Sequence, residues 1–466
     1  MIMQQSDNIL RKITYFFFII LGILTIFYQI NFDDLWLDEM ASFWIADPSL
    51  PYSETMERQK ISDWHNPILF NIILKNFLSI VGYNPELSRY LPFIFGALSF
   101  FVISQISYQE KKDKSFIFTS FLVCTSIYII KYSQELRPYS LLLLTSSLNI
   151  FFYLKQLKGT EQKNSSIFFF VIFSVLNYSV NPFALIIFFS QIFYSFYLFL
   201  SFGNKLKRYL VIYNIIFFFY LVFNYDYLLY QITFDNYMLS GDIENVFDGL
   251  YFPRFFGSKI MGYFFLILLL SLIFKSRKSF FSNNNSYMFF LILIIFTYLV
   301  PLTYGLIKTP VLHDRYIIFV LIPVFVLIPL LVNEIKNIKV KRYLITLIVL
   351  MTLSNHYIEI FERHNTKPEF RKTLKYINDK NIENVVLNLQ EPSFLVSNYI
   401  KNLNISQLSS LIYSLHDDSW SEKKNFWLLC YSTDPNFLCE FKNKDNLNLI
   451  DSKKNLFVET KQYSLN

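Results

Sequence analysis

Residues 13–30, ITYFFFIILGILTIFYQI, run without a charge and pass at once into NFDDLWLDEM at residues 31–40. Arg11 and Lys12 stand before the run and Asp33, Asp34, Asp38 and Glu39 after it. About 20 apolar residues are needed to cross some 30 Å of hydrocarbon, so this run reads as a membrane helix with its basic end in the cytoplasm. No small-x-small cleavage site follows it, and the reading is an uncleaved first helix, not a removed leader.

The rest of the chain repeats that grammar. Of 466 residues, 53% are hydrophobic and 20% aromatic, with only 10 Gly, a balance that places most of the chain in lipid. The net charge of +7 lies in short clusters between apolar runs, not along one amphipathic face, and this excludes nucleic acid as a partner. Membrane lipids are the expected surroundings. Cys124, Cys430 and Cys439 are too few for a disulfide framework and lack the paired spacing of a zinc site.

Eleven runs read as spanning helices, near 13–30, 88–108, 115–131, 138–157, 165–180, 182–202, 209–229, 258–274, 287–307, 316–333 and 343–358. The stretch from Pro67 to Tyr83 is short and interrupted by Asn71, Lys75 and Asn76, so it is expected to lie in the interface or re-enter. Charge tests the count. Arg11 and Lys12, Lys111, Lys112 and Lys114, Lys155, Lys158 and Lys163, Lys205, Lys207 and Arg208, Lys275, Arg277 and Lys278, and Lys336, Lys339, Lys341 and Arg342 all fall on one face. That face is the cytoplasm by the positive-inside rule. The opposite loops hold most of the acids, including Asp235, Asp242, Glu244 and Asp248, and an odd number of spans leaves the tail outside.

The expected class is thus a mainly α, polytopic membrane helical bundle with a small extracytoplasmic α/β domain. Residues 1–358 form the membrane part, with 31–87 as its first outer loop, and 359–466 the tail. In the tail KPEFRKTLKYIND (367–379) reads as an amphipathic helix, NVVLNL (384–389) and FWLLCYS (426–432) as buried strands, and DPNFLCEFKNK (434–444) as another helix. Cys430 and Cys439 lie in a compartment that permits disulfides. Two buried free thiols are nonetheless the expectation.

Four polar groups share the outer face. In LWLDEMASFW (35–44) neighbouring side chains on a helix project about 100° apart, so at most one of Asp38 and Glu39 points squarely into a cavity. The plain alternative is a helix cap, weakened by Trp36, Phe43 and Trp44, which hold the segment at the interface. His65 stands in DWHNPILF (63–70), with Arg89 entering the next span from the same side. Alone, such a His is usually a packing residue. In IIKYSQELRPYSLLLL (129–144) Glu135, Arg137 and Tyr139 occupy a very short turn, where a local ion pair would explain the charges. Ionisable groups so near hydrocarbon tend to face a cavity or a charged partner. KTPVLHDRYIIF (308–319) puts His313, Asp314, Arg315 and Tyr316 at the mouth of the tenth span, near Lys308, where interfacial anchoring is the plain alternative. Asp226 has no companions and reads as an interface residue.

These residue types suit one reaction. If the donor is a sugar on a polyprenyl phosphate, cleavage of the sugar–phosphate bond builds negative charge on phosphate, which Arg137, Arg315, His65 and His313 would stabilise. The attacking acceptor loses a proton, and Asp38 is the candidate base. Glu39, Arg89, Glu135, Tyr139 and Asp314 complete the expected substrate-binding set. The chain has no G-x-G-x-x-G and no P-loop, consistent with a donor that is not a nucleotide.

In order, LWLDE, HNP, ELSRYLPFIFGALS (86–99), YSQELRPYSLLLL (132–144), HDRY and KPEFRKTLKYI (367–377) resemble bacterial members of the GT-C superfamily akin to glycosyltransferase family 39. Relatives there include protein O-mannosyltransferases and the aminoarabinose transferases of lipid A. The resemblance implies an inverting transfer from a polyprenyl-phosphate sugar in a bacterial inner membrane, with the outer-loop Asp, here Asp38, as catalytic carboxylate. It leaves the metal requirement open, a divalent ion included, and the acceptor open among glycan, lipid and protein. HNP departs from the HPP or KPP of many relatives, keeping His65 but placing Asn66 beside it.

Two other classes compete. A lipid-linked oligosaccharide polymerase or ligase would carry its large loop late between two spans, whereas here the longest loops are the first and the tail. A transporter or flippase would show internal repeats and mid-membrane charges, and neither is found.

Overall fold

All eleven apolar runs are helical over most of their length in the computed structural model, which describes residues 2–64, 66–111, 115–158, 164–202, 206–233, 255–280, 286–307, 311–380, 384–389, 393–403, 412–414, 425–432, 439 and 447–465. Outside the described residues lie His65, Lys112, Lys114, Lys163, Lys205 and Lys308, the acids Asp235, Asp242, Glu244 and Asp248, and the helix expected over 434–444 apart from Cys439. Among the described residues six helices are long and apolar enough to cross a membrane: Ile9–Phe27, Pro85–Glu110, Pro182–Ser201, Tyr287–Ile307, Asp314–Asn333 and Ile338–Phe361. The other runs are shorter, more polar or broken.

The chain divides into two compact units. The first comprises Met1–Tyr28, His65–Phe70 and Pro92–Arg363, and holds the membrane helices. Its centre is the Leu321–Asn333 helix, apolar on every side and buried at every residue from Leu321 to Val332. By contrast the Ile338–Phe361 helix buries little beyond Ile348, Thr352 and Ile360 and leaves most of its apolar surface uncovered by the protein.

The run expected as one span over 115–131 is not one. It is two helices, Ser115–Cys124 and Ile127–Ser133, bent by 54° at Thr125 and Ser126. Both hydroxyls compete with the helical ladder: Thr125 Oγ1 donates to Phe121 O at 2.7 Å, and Ser126 Oγ caps the second helix by accepting from Ile129 N–H at 3.4 Å. The Thr125 carbonyl meets the His356 Nδ1 at 3.2 Å.

Between the Tyr139–Lys158 and Asn164–Val180 helices runs a polar seam. Thr145 and Ser146 both donate to Asn177 Oδ1 at 2.9 Å, Asn149 Nδ2 donates to Ser174 Oγ at 2.7 Å, and Gln191 Nε2 to Asn149 Oδ1 at 2.6 Å. With no hydrophobic drive between helices in lipid, such bonds and close packing set which helices are neighbours. They fix the start of the Tyr139–Lys158 helix, where the third polar group sits.

The second unit comprises Gln29–Trp64, Asn71–Leu91 and His364–Asn466, so that the first loop and the tail share one core. Short helices, Leu37–Ile45, Tyr52–Ser62 and most of Leu69–Val81, come from the loop. The last has 13 residues, too few to span. Its Lys75 is buried and donates to the carbonyls of Asp47 and Leu50 at 2.5 and 2.6 Å, which clamps the chain after Leu37–Ile45. Burial lowers the Lys75 ammonium below its ordinary pKa.

The tail folds as expected around a sheet, flanked by helices Phe370–Asp379 and Ser393–Asn402. Its strands are β1 (Val385–Leu389), β2 (Ile412–Ser414), β3 (Asn425–Tyr431), β4 (Leu447–Asn455) and β5 (Val458–Leu465), in the order β2-β1-β3-β5-β4. β2, β1 and β3 are parallel, and β4 and β5 close as an antiparallel hairpin. Cys430 and Cys439 form a disulfide, which corrects the expectation of two free thiols; both are buried beside Phe426 and Tyr463, where the chain after β3 returns to the core. Cys124 is free and buried.

Candidate active site

Within the second unit the acidic turn after the first helix is built around one arginine. Asn84 Oδ1 caps the Pro85–Ser88 turn by accepting from Glu86 N–H at 2.7 Å, and Arg89 follows as its last residue. From there the guanidinium donates to Asp33 O at 2.5 Å, to Asp34 O at 3.1 Å and to both Glu39 carboxylate oxygens at 3.1 Å. Glu39 is wholly buried and Arg89 nearly so. A fork held this way is a strong, geometrically specific pair.

Glu39 occupies the third position of the Leu37–Ile45 helix and accepts the Trp36 N–H at 3.3 Å, capping it from within. Asp38 is the neighbour in the same first turn, half-buried, where the helix N-terminus favours a negative charge. Its carbonyl accepts from Ser42 Oγ at 3.3 Å.

Two residues with no role assigned from sequence also belong here. Lys367 Nζ lies 2.6 Å from Glu39 Oε2, and Arg371 pairs with Asp34, whose Oδ1 also accepts from Tyr399 Oη at 3.2 Å. Burial alone would lower the Arg371 pKa, and the Asp34 carboxylate against it holds it above the ordinary value. Burial, and then Asp34, push the Tyr399 phenol well above its usual range. Both cations lie in KPEFRKTLKYI, which the sequence marked as an amphipathic helix and as one stretch of the resemblance, with no spacing that tied either of them to the acids of residues 33–39.

Within the first unit the YSQELRPY turn is bolted to the end of the first helix. Gln134 Nε2 donates to Ile26 O and Tyr28 O at 2.8 and 3.0 Å, and its Oε1 accepts from Arg363 at 2.7 Å. Glu135, Arg137 and Tyr139 are all buried. The HDRY turn meets them: Arg315 Cζ lies 5.8 Å from the Tyr139 ring and 5.4 Å from Tyr316, and the Tyr139 and Tyr316 rings are 6.2 Å apart. His313 Nδ1 is 2.5 Å from Asp314 Oδ1. The third and fourth groups are thereby brought together, while Asp38, Glu39 and Arg89 form their own cluster in the second unit. Tyr139 Oη, fully buried, has no hydrogen-bond partner among the described residues.

Tyr316 has a second neighbour. Its ring lines a cavity of about 440 Å³ whose walls are mostly apolar and include Phe183, Ile186, Phe189, Pro301 and Tyr304, with Asn66 and Asn181 as polar points. Sequence reading missed it. The usable signals were Asn181-Pro182, where Asn181 Oδ1 accepts from Phe183 N–H at 2.9 Å and restarts the helix, and Pro301 inside the Tyr287–Ile307 helix. Among the described residues no three His, Cys, Asp or Glu side chains are grouped to hold a metal ion.

No protein-family model matches the sequence, and no curated protein matches it. Solved structures do. The chain is similar to ArnT from Cupriavidus metallidurans bound to undecaprenyl phosphate, with a TM-score of 0.61 at 11% identity, over 96% of this chain and 97% of that one. It is similar to apo ArnT of the same organism, with a TM-score of 0.60 at 10% identity, over 98% of each chain. At such identities the likeness is one of fold, and it runs from end to end: the chain has an ArnT-like fold, mainly helical with a small C-terminal sheet.

Proposed function

We propose that this chain is an integral-membrane glycosyltransferase that moves a sugar from a polyprenyl-phosphate donor to an acceptor at the outer face of the membrane. One observation carries the reading: an apolar cavity of about 440 Å³ abuts, through Tyr316, a cluster of the buried Arg137 and Tyr139 with the half-buried Arg315. An apolar slot with a guanidinium 5.4 Å behind one of its wall residues, Tyr316, suits a lipid tail ending in phosphate.

In this reading the bond between the sugar anomeric carbon and the phosphate oxygen breaks. Both electrons leave with the polyprenyl phosphate, whose charge Arg137 and Arg315 take up, with His313 and His65 as further donors. The acceptor hydroxyl or amine attacks the opposite face of the anomeric carbon, inverting it, and its proton goes to Asp38. Glu135, Asp314 and Tyr139 line the donor head group. Glu39 and Arg89, bonded to each other, hold the Asp38 turn. ArnT with undecaprenyl phosphate bound gives the fold a precedent for such a lipid.

The test is transfer by the purified full-length protein, reconstituted with a panel of sugars on polyprenyl phosphate. Release of polyprenyl phosphate with transfer or slow hydrolysis is expected, and its loss in Asp38→Asn with normal expression. No release from any donor removes the glycosyltransferase reading; full activity in Asp38→Asn removes the base.

A further inference from the structure

Four carboxylates in residues 33–39 repel one another, and burying them costs free energy unless cations and N–H groups are supplied. Arg89 satisfies part of that need from the loop. More comes from one short segment of the tail. Thr366 N–H donates to Asp33 Oδ1 at 3.4 Å, Lys367 Nζ to Glu39 Oε2 at 2.6 Å, and Arg371 N–H to Asp34 Oδ2 at 2.8 Å, with its guanidinium on Asp34 as well. The contacted acids flank Leu35–Asp38 on both sides.

Lys367 differs from the other contacts in what its partner does. The Glu39 oxygen it holds, Oε2, is the same atom that accepts the Trp36 N–H and so caps the Leu37–Ile45 helix. The ammonium also stands 5.9 Å from the Trp36 ring and is largely shielded from water. Without it, Oε2 keeps the Arg89 contact at 3.1 Å but loses the shorter of its two cation contacts. The first turn of the helix, which contains Asp38, then gains freedom to rotate.

We infer that Lys367 is a positioning residue, acting through Glu39 to hold the first turn of the Leu37–Ile45 helix, so that a segment of the tail sets the orientation of Asp38. This rests on the reading of Asp38 as base. A 1 Å misplacement of a reacting group costs on the order of 100-fold in rate, so a brace at this point is felt in kcat. A staple that only adds stability would change the amount of folded enzyme and leave kcat per folded molecule alone.

Lys367→Met keeps the stem and removes the charge, and Lys367→Arg restores a cation. With full-length protein in lipid nanodiscs, Lys367→Met is expected to lower kcat roughly 10–100-fold while donor KM stays within about twofold. Lys367→Arg is expected to recover most of the loss. Hydrogen exchange of the peptide covering 36–45 is expected to quicken in Lys367→Met while β1, β3 and β5 keep their protection. Wild-type kcat in Lys367→Met, or exchange that quickens across the sheet as well, overturns the inference. If wild type transfers no sugar from any donor, the function reading falls by itself; the exchange arm still decides this one, and unchanged protection over 36–45 overturns it.

Discussion

Glu39 and Arg89 form a fork with both carboxylate oxygens 3.1 Å from one guanidinium nitrogen, inside the protein and 50 residues apart in sequence. Removing one partner of a buried pair costs about 3–5 kcal/mol where the remaining charge is uncompensated, and Arg89→Met leaves Glu39 with one cation, Lys367, where it had two. Arg89→Met is therefore expected to lower the unfolding midpoint of the second unit sharply. Arg89→Met with Glu39→Gln is expected to recover part of the loss, because the wholly buried carboxylate is then neutral and the charge left, on Lys367, is the less buried one. Thermal unfolding in detergent, followed by near-ultraviolet absorbance changes, measures both; equal losses in the single and double variants would contradict the pairing.

Arg315 is expected to act on the donor, not on folding. Arg315→Gln should lower kcat/KM for the polyprenyl-phosphate sugar roughly 100-fold with an unchanged melting curve, as expected for loss of a charge-assisted phosphate contact. Arg315→Lys should recover little, because an ammonium does not reproduce a planar fork stacked beside Tyr139 and Tyr316. Kinetics indistinguishable from wild type in Arg315→Gln would take phosphate binding away from this turn.

Gly96 is a packing contact between helices. A Cβ there would come 1.9 Å from Ser133 Oγ and 2.5 Å from Ser133 Cβ, so neither a rotamer change nor a small shift removes the overlap. Gly96→Ala is expected to destabilise the first unit by about 1–3 kcal/mol through overpacking, and Gly22→Ala, whose nearest contacts are 2.8 Å, by less. Gly96→Ala with Ser133→Ala should regain part of the loss, and its failure to do so would place the strain elsewhere.

The disulfide makes a counting prediction. Alkylation of the unfolded, unreduced protein is expected to label one thiol, Cys124, and three after reduction. The bridge closes a loop with a sequence separation of 9, for which chain entropy gives about 2–3 kcal/mol. Three labelled thiols without reductant would exclude the bridge.

Topology is open to a reporter. Alkaline phosphatase fused after residue 466 is expected to be active, and a fusion within residues 334–337 inactive, if the tail lies outside and the basic clusters inside. The reverse pattern would invert the proposed site.

How much of this was readable in the chain follows from how local each feature is. A membrane helix needs only its own apolar residues, so runs such as Tyr287–Ile307 are legible without any partner. The break at Thr125–Ser126 is hidden because the residues on both sides are equally apolar, and only the hydroxyls hint at it. The β4–β5 hairpin has no Asn-Gly or Gly at its turn; Phe457 takes the positive φ of 56° itself, so the usual turn signal is missing. Asp38, Glu39 and Arg89 stood out as charges beside apolar runs. That Lys367 and Arg371 would answer the acids could not be read from spacing, because Lys367 and Glu39 are 328 positions apart.

The bend at Thr125 also sets a depth. Measured along the axis of Ser115–Cys124, the seven residues of Ile127–Ser133 advance only about 6 Å at a 54° bend, where a straight helix would climb about 10 Å. The YSQELRPY turn that follows is thus recessed below the level an unbroken helix would reach. On the proposed reading, a phosphate drawn to the buried Arg137 meets its counter-charge where water is scarce. Charge stabilisation is stronger there, and a stray water is a poorer rival to the acceptor.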